Sequence, residues 1–126
     1  MSHSTIPENY QHVMPYLIVK DAEGLSRFMQ TVLGGKETMR KLRDDGKIMH
    51  AEVMIGNSTV MLAESTDQWS AGNAGMFVYV PDADTAYQKA LDAGATSVMP
   101  PTDQPYGRSS GVTDPFGNTW WITSVS

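Results

Sequence analysis

His50 and Glu52 stand two residues apart in the run Ile48-Met49-His50-Ala51-Glu52-Val53-Met54-Ile55. Side chains alternate between the faces of a β-strand, so these two project from one side, with alpha carbons roughly 7 Å apart. A histidine beside a carboxylate can act as a general base near neutral pH. The same two groups on a solvated edge strand would be only a polar pair. Glu64 is a second catalytic candidate, because a carboxyl walled by Leu62 and Tyr79 would be pushed toward its neutral form by desolvation. At an exposed strand end it would lack that environment. Arg108, in Tyr106-Gly107-Arg108, carries the planar fork that clamps a ligand carboxylate or phosphate, with Asp103 and Asp114 as competing partners. The chain has no cysteine, which excludes thiol catalysis, disulfides and thiolate-bound zinc. It also has no glycine-rich phosphate loop, nucleophile elbow or His-Glu-x-x-His helix, so those chemistries are disfavoured.

Such side chains need strands and helices to aim them. Residues 1–11, which include His3, read as a flexible polar lead-in. A strand is expected at 13–20, limited early by Pro15. Asp21 then caps a helix that runs to about Leu33, although Gly24 stands where a capping box would have Glu. Leu25, Phe28, Met29, Val32 and Leu33 recur at helical spacing, and Gly34-Gly35 ends the helix. Strands at 37–43, 48–55 and 59–64 follow, separated by Asp45-Gly46 and Gly56-Asn57. Residues 65–74 form a polar linker carrying an exposed or pocket-lining Trp69. The order then begins again. A strand spans 76–80, Asp82 caps a helix that ends at Gly94, a short strand at 97–99 stops at Pro100-Pro101, and strands at 108–113 and 119–125 flank Asp114-Pro115-Phe116-Gly117-Asn118. The three prolines at 100, 101 and 105 predict a stiff loop that covers a cavity.

The duplication is visible in the letters. Val19-Lys20-Asp21-Ala22 answers Val80-Pro81-Asp82-Ala83, and Leu33-Gly34-Gly35 answers Ala93-Gly94-Ala95. An internal repeat of this kind fixes architecture more firmly than any single propensity. The expectation is one α+β domain over 1–126, built from two βαβββ repeats at about 13–64 and 75–125.

Four segments in this order resemble the glyoxalase / bleomycin-resistance / extradiol-dioxygenase (vicinal oxygen chelate) superfamily: PYLIVKDAEG, IMHAEVMIGNSTVMLAE, YVPDADTAYQKALDAGAT and YGRSSGVTDPFGNTWWITS. The resemblance implies half-barrels around a concave cavity, a homodimer with cavities near its interface, and in many members a divalent metal held by the first and last strands of each repeat. Carried onto this chain, those four positions are Met14, Glu64, Gly75 and Trp121. One carboxylate beside a thioether, a bare backbone and an indole does not suit zinc, magnesium or calcium. We therefore expect no metal and no cofactor. An alternative site rebuilt from His12, Glu64 and His50 or Glu52 would need strand order to bring them together.

Without a metal, the expected cavity is aromatic and aliphatic. Alternation puts Tyr16 and Ile18 on the face of Met14, Leu62 and Val60 on that of Glu64, and Phe77 and Tyr79 on that of Gly75. On the strand at 48–55 it sets Met49, Ala51, Val53 and Ile55 against the helix, and His50, Glu52 and Met54 on the concave side. The ligand-binding candidates are Tyr16, His50, Glu52, Met54, Leu62, Trp69, Phe77, Tyr79, Tyr106, Arg108 and Trp121; core filling is the competing role for each aromatic. Three functions follow: a metal-independent binder of a small hydrophobic or aromatic molecule, a metal-free enzyme using Glu64 or His50, and a metal-dependent lyase, isomerase or dioxygenase. The first accords best with the residues. A net charge of −5 with only nine scattered basic residues argues against nucleic acid and anionic membranes. The absence of a signal peptide, a membrane span and cysteines points to the cytoplasm.

Overall fold

The structure is a computed structural model that describes residues 6–125; His3 lies outside them. The elements are β1 (Tyr16–Val19), α1 (Ala22–Leu33), β2 (Lys36–Leu42), β3 (Ile48–Ile55), β4 (Ser58–Glu64), β5 (Gly75–Tyr79), α2 (Ala83–Asp92), β6 (Thr96–Gln104), β7 (Gly107–Thr113) and β8 (Thr119–Ser124). The βαβββ order occurs twice. Each repeat makes its own four-stranded sheet, in the orders β1-β4-β3-β2 and β5-β8-β7-β6. β1 pairs parallel with β4, and β5 with β8; the other ladders are antiparallel.

Each sheet buries one face. Leu25, Phe28, Met29, Val32 and Leu33 of α1 are all buried, as the helical spacing predicts. They share one core with Leu17, Val19, Ala51, Val53 and Leu62 of the first sheet and with Ala86, Ala90, Val112, Trp120 and Ile122 of the second repeat. Phe28 and Phe116 meet edge to face across the repeats, with centroids 6.4 Å apart, an arrangement that the ring quadrupoles favour. The opposite faces of both sheets stay open. No helix among the described residues is long and apolar enough to cross a membrane.

Both helices start on an aspartate whose carboxylate caps the first turn. Asp21 accepts the Gly24 N–H at 3.0 Å, and Asp82 accepts the Thr85 N–H at 3.2 Å. The last strand of each repeat supplies a second cap. Glu64 accepts the N–H groups of Asp21 and Ala22 at 2.9 and 2.8 Å, and Ser124 Oγ accepts that of Ala83 at 3.2 Å. Glu64 thus does from β4 what a glutamate at the Gly24 position would do from within the helix. A Cβ at Gly24 would collide with the Asp21 carboxylate and the Phe116 ring, so the local box is sterically closed here.

Four readings change. β1 begins at Tyr16 instead of residue 13, because Pro15 has no N–H for the ladder; Met14 therefore precedes the strand. β6 runs through Pro100-Pro101 to Gln104. It is an edge strand whose register with β7 slips between Met99 and Thr102, where a missing N–H is tolerated. Pro105 and Tyr106 then form a hairpin turn into Gly107, whose φ is 138°, so this stretch is sheet and turn, and not a lid. The end of the lead-in is docked instead of loose. Gln11 and Thr59 exchange two hydrogen bonds at 2.9 and 3.1 Å, and Asn9 O accepts from the Thr59 hydroxyl.

Candidate active site on the open face of the first sheet

The register sorts the side chains of the first sheet. Leu17 pairs with Leu62 and Val19 with Glu64, whereas Tyr16 pairs with Met61 and Ile18 with Ala63. Leu17, Val19 and Leu62 are buried against the helices, so Tyr16, Ile18, Met61 and Ala63 hold the open face. On β3, Ala51 faces the core with Leu62, and Glu52 lies opposite Met61. His50, Glu52 and Met54 thus share the open face, as alternation predicts. Met49 does not follow the prediction. The β2–β3 register slips where Lys41 pairs with His50 and Leu42 with Ile48. The bulge keeps Ile48 buried and turns Met49 outward.

A cavity of about 480 Å³ lies on this face, lined by Tyr16, Ile18, Met49, Ala63 and Trp69 with Arg43, Glu64 and Thr66 at its side. Trp69 reaches it from the linker. A small turn places it there, with the Thr66 N–H on Trp69 O at 2.8 Å and the Trp69 N–H on Thr66 Oγ1 at 2.9 Å. Arg43 donates to Glu64 O at 3.3 Å and stands 3.6 Å from Asp45, which leaves part of its guanidinium available.

Beside the cavity runs a chain of hydrogen bonds. The Tyr10 hydroxyl donates to Glu52, 2.6 Å from Oε2 and 2.8 Å from Oε1. Glu52 Oε2 also meets His50 Nε2 at 2.9 Å, and His50 Nδ1 lies 3.1 Å from the Tyr16 hydroxyl. Tyr16 and His50 also pack as rings, with centroids 5.5 Å apart. The Glu52 side chain is 7% exposed. Burial raises its affinity for a proton, but donation by Tyr10 and His50, with the His50 charge, outweighs burial and holds the carboxyl below its ordinary range. The same contact raises the Tyr10 phenol, chiefly through its bond to Glu52, then through burial and the nearby charge.

Several candidates fall elsewhere. Leu62 is wholly buried in the core, so it cannot line the cavity. Glu64 borders the cavity, but both its oxygens are committed to the start of α1. Arg108 is bound by Asp84 at 3.0 Å and Asp103 at 3.0 Å, on the side of α2 and outside the lining of this cavity; Asp114 instead takes the Trp120 indole N–H at 2.7 Å. Phe77, Tyr79, Tyr106 and Trp121 gather on the open face of the second sheet. Phe77 lies 5.2 Å from Tyr79 and 5.9 Å from Tyr106 between centroids, and all four rings are exposed. Trp121 is the register partner of Gly111, where a Cβ would collide with its ring. Phe77 and Tyr79 also border a second cavity of about 530 Å³ with Val13, Pro15, Val60 and Trp120. Tyr79 is its one titratable lining residue, so it offers little to acid–base chemistry. Met54 is partly buried on the open face of the first sheet.

Sequence reasoning missed Tyr10, Met49 and Arg43. Tyr10 is an aromatic in a polar lead-in, which is itself a sign of anchoring. The bulge that turns Met49 outward leaves no comparable mark in the letters.

The fold and this site define a class. The sequence pattern of the Glyoxalase/Bleomycin resistance protein/Dioxygenase superfamily matches residues 9–122, and the chain belongs to that family. An uncharacterised protein of Mycobacterium bovis is 35% identical over 118 residues, covering 84% of this chain and 78% of its own. Among solved structures, TioX from Micromonospora sp. ML1 superposes with a TM-score of 0.75 at 24% identity, over 92% of this chain and 99% of that one. The fosfomycin resistance protein FosX from Mesorhizobium loti gives 0.67 at 17% identity, over 92% of each chain. At these identities the two structures show the shared fold.

The superfamily's divalent metal does not fit the donors present. By register, the first-repeat counterpart of Trp121, which pairs with Phe77, is Met61, which pairs with Tyr16. Glu64 stands three residues further on and faces α1. The corner positions therefore read Met14, Met61, Gly75 and Trp121, with no hard donor among their side chains. His12 is exposed in the lead-in, and among the described residues no three His, Asp or Glu side chains stand close enough to hold a cation.

Proposed function

We propose that this protein binds a small, planar, largely apolar molecule without a metal, in the cavity on the open face of the first sheet. One observation carries the reading: the wall made by Tyr16, Ile18, Met49, Ala63 and Trp69, a surface of rings and aliphatic chains typical of small-molecule pockets. The donor set supports metal independence, since the carboxylate at its side is spent on a helix start. That the fosfomycin resistance protein FosX shares this fold does not by itself favour binding over catalysis.

A second copy of the chain is the proposed partner. The exposed rings of Phe77, Tyr79, Tyr106 and Trp121 form an aromatic face larger than scattered surface residues would give, and a two-fold related copy would cover it. Phe77→Asp should then shift the sedimenting species from dimer to monomer.

The test of binding is titration with 4-nitroanisole, followed by tryptophan fluorescence and by thermal shift, because a ligand of the native state raises its melting temperature. Binding should survive exhaustive chelation and be lost in Trp69→Ala. Loss on chelation with recovery on adding zinc or manganese would sink the reading.

A second reading, a metal-free enzyme, is favoured by the hydrogen-bonded chain that ends at the cavity wall.

A further inference from the structure

The geometry points to Tyr16 as a proton-accepting group of this cavity, wired through His50 to Glu52, that binds a hydroxyl-bearing planar compound such as a phenol or enol as its anion. This rests on the small-molecule reading above and names the ligand class for the same site.

Proton positions follow from the partners. Glu52 is ionised at neutral pH and only accepts. It takes the Tyr10 O–H and the His50 Nε2–H. With Nε2 protonated, Nδ1 of the neutral ring is an acceptor, so the Tyr16 O–H at 3.1 Å points its hydrogen at His50. The Tyr16 oxygen then presents lone pairs toward the cavity that Tyr16 lines, and a ligand O–H or N–H finds an acceptor there. The arrangement has the logic of a nucleophile, a base and a third group that orients the base, with a phenol in the first place. The proton transfer balances without a co-reactant. The ligand O–H bond breaks and its proton passes to the Tyr16 oxygen, while the proton of Tyr16 passes to His50 Nδ1. The ligand keeps the electron pair as an anion, and the imidazolium is paired with the Glu52 carboxylate.

A second feature favours the anion independently. Arg43 lines the same cavity and is only partly engaged, so a positive charge stands at the wall where the negative charge would form. The other charged or titratable groups around His50 are Glu52 on its own strand, Tyr16 on β1, Tyr10 in the lead-in and Lys41, its register partner on β2. Lys41 would repel a positive charge on His50, and Glu52, hydrogen-bonded to the ring at 2.9 Å, would attract it.

The experiment uses 4-nitrophenol, whose anion absorbs in the visible, beside 4-nitroanisole, which cannot ionise. It is run at a pH where free 4-nitrophenol is mainly neutral. The wild type should raise the phenolate-to-phenol ratio of the bound probe about ten-fold, the equivalent of one pKa unit. His50→Gln and Tyr16→Phe should abolish that rise when each is compared at equal saturation, set by its own affinity. Their near-native size keeps the test available where Glu52→Gln fails to fold. If both probes bind but the ratio stays that of free probe, or if the variants ionise it as the wild type does, the inference is overturned while the binding reading stands. Binding of 4-nitroanisole without 4-nitrophenol has the same meaning. If neither probe binds, both fall together.

Discussion

Glu64 Oε1 accepts the backbone N–H of Ala22 at 2.8 Å, so the end of one strand closes the beginning of a helix 42 residues earlier. A helix start leaves N–H groups without partners, and an anion there gains both a hydrogen bond and a favourable dipole. Glu64→Ala should lower the unfolding free energy by about 1–2 kcal/mol, read from urea denaturation. Glu64→Gln should lose less, because its amide oxygen still accepts. Ligand affinity should change little in Glu64→Gln; a large loss there would return Glu64 to the list of chemical groups.

The pH dependence of stability should carry the mark of two buried or half-buried carboxylates. Glu52 is held below its ordinary value of 4.5 as described. Glu37 is pushed up by burial but brought down further by Arg40 and Ser26. A carboxyl with a depressed native pKa contributes stability above its ordinary value and loses it as the pH falls through the native one. Stability should therefore decline below about pH 4.5, and the decline should be shallower in Glu52→Gln. Tyr10 runs the other way. Its raised pKa means its contribution is complete below about pH 10 and fades above it, so Tyr10→Phe should flatten the alkaline limb. Urea midpoints at stepped pH test both limbs.

Trp120 and Asp114 hold the last hairpin. The indole N–H meets Asp114 Oδ2 at 2.7 Å, while Oδ1 accepts the N–H groups of Phe116 and Asn118 at 2.9 Å each. Trp120→Phe leaves a buried carboxylate oxygen without its donor and opens space in the core. The expected cost is about 2–4 kcal/mol, measured by chemical denaturation.

Gly111 lies beneath the Trp121 ring, and a methyl group there has no room. Gly111→Ala should displace the indole from the open face and cost about 1–3 kcal/mol. It should also weaken self-association if Trp121 belongs to the covered face. An unchanged sedimentation profile in a well-folded Gly111→Ala would remove Trp121 from that interface.

The repeat, both aspartate caps and the apolar stripe of α1 were legible because each is a local pattern repeated at a fixed offset. The shared face of His50 and Glu52 was legible for the same reason. What could not be read was long-range. Glu64 looked like a cavity carboxylate because alternation counts faces from one end of a strand and says nothing about which helix waits beyond it. Met49 was assigned to the wrong side, since one slip in register reverses a face. Pro100-Pro101 looked like a stop, yet an edge strand has a side that needs no donor. Tyr10 required knowing that the lead-in folds back over β3.

Among the described residues, no side-chain hydrogen bond or ion pair joins residues 6–64 to residues 75–125. Each half caps its own helix, and the core that the halves share is hydrocarbon and aromatic ring. Parting the halves would therefore wet apolar surface and strand polar groups only at the connector, where the Gly72 N–H meets Ile18 O at 3.1 Å and the Thr119 N–H meets Ala74 O at 2.8 Å.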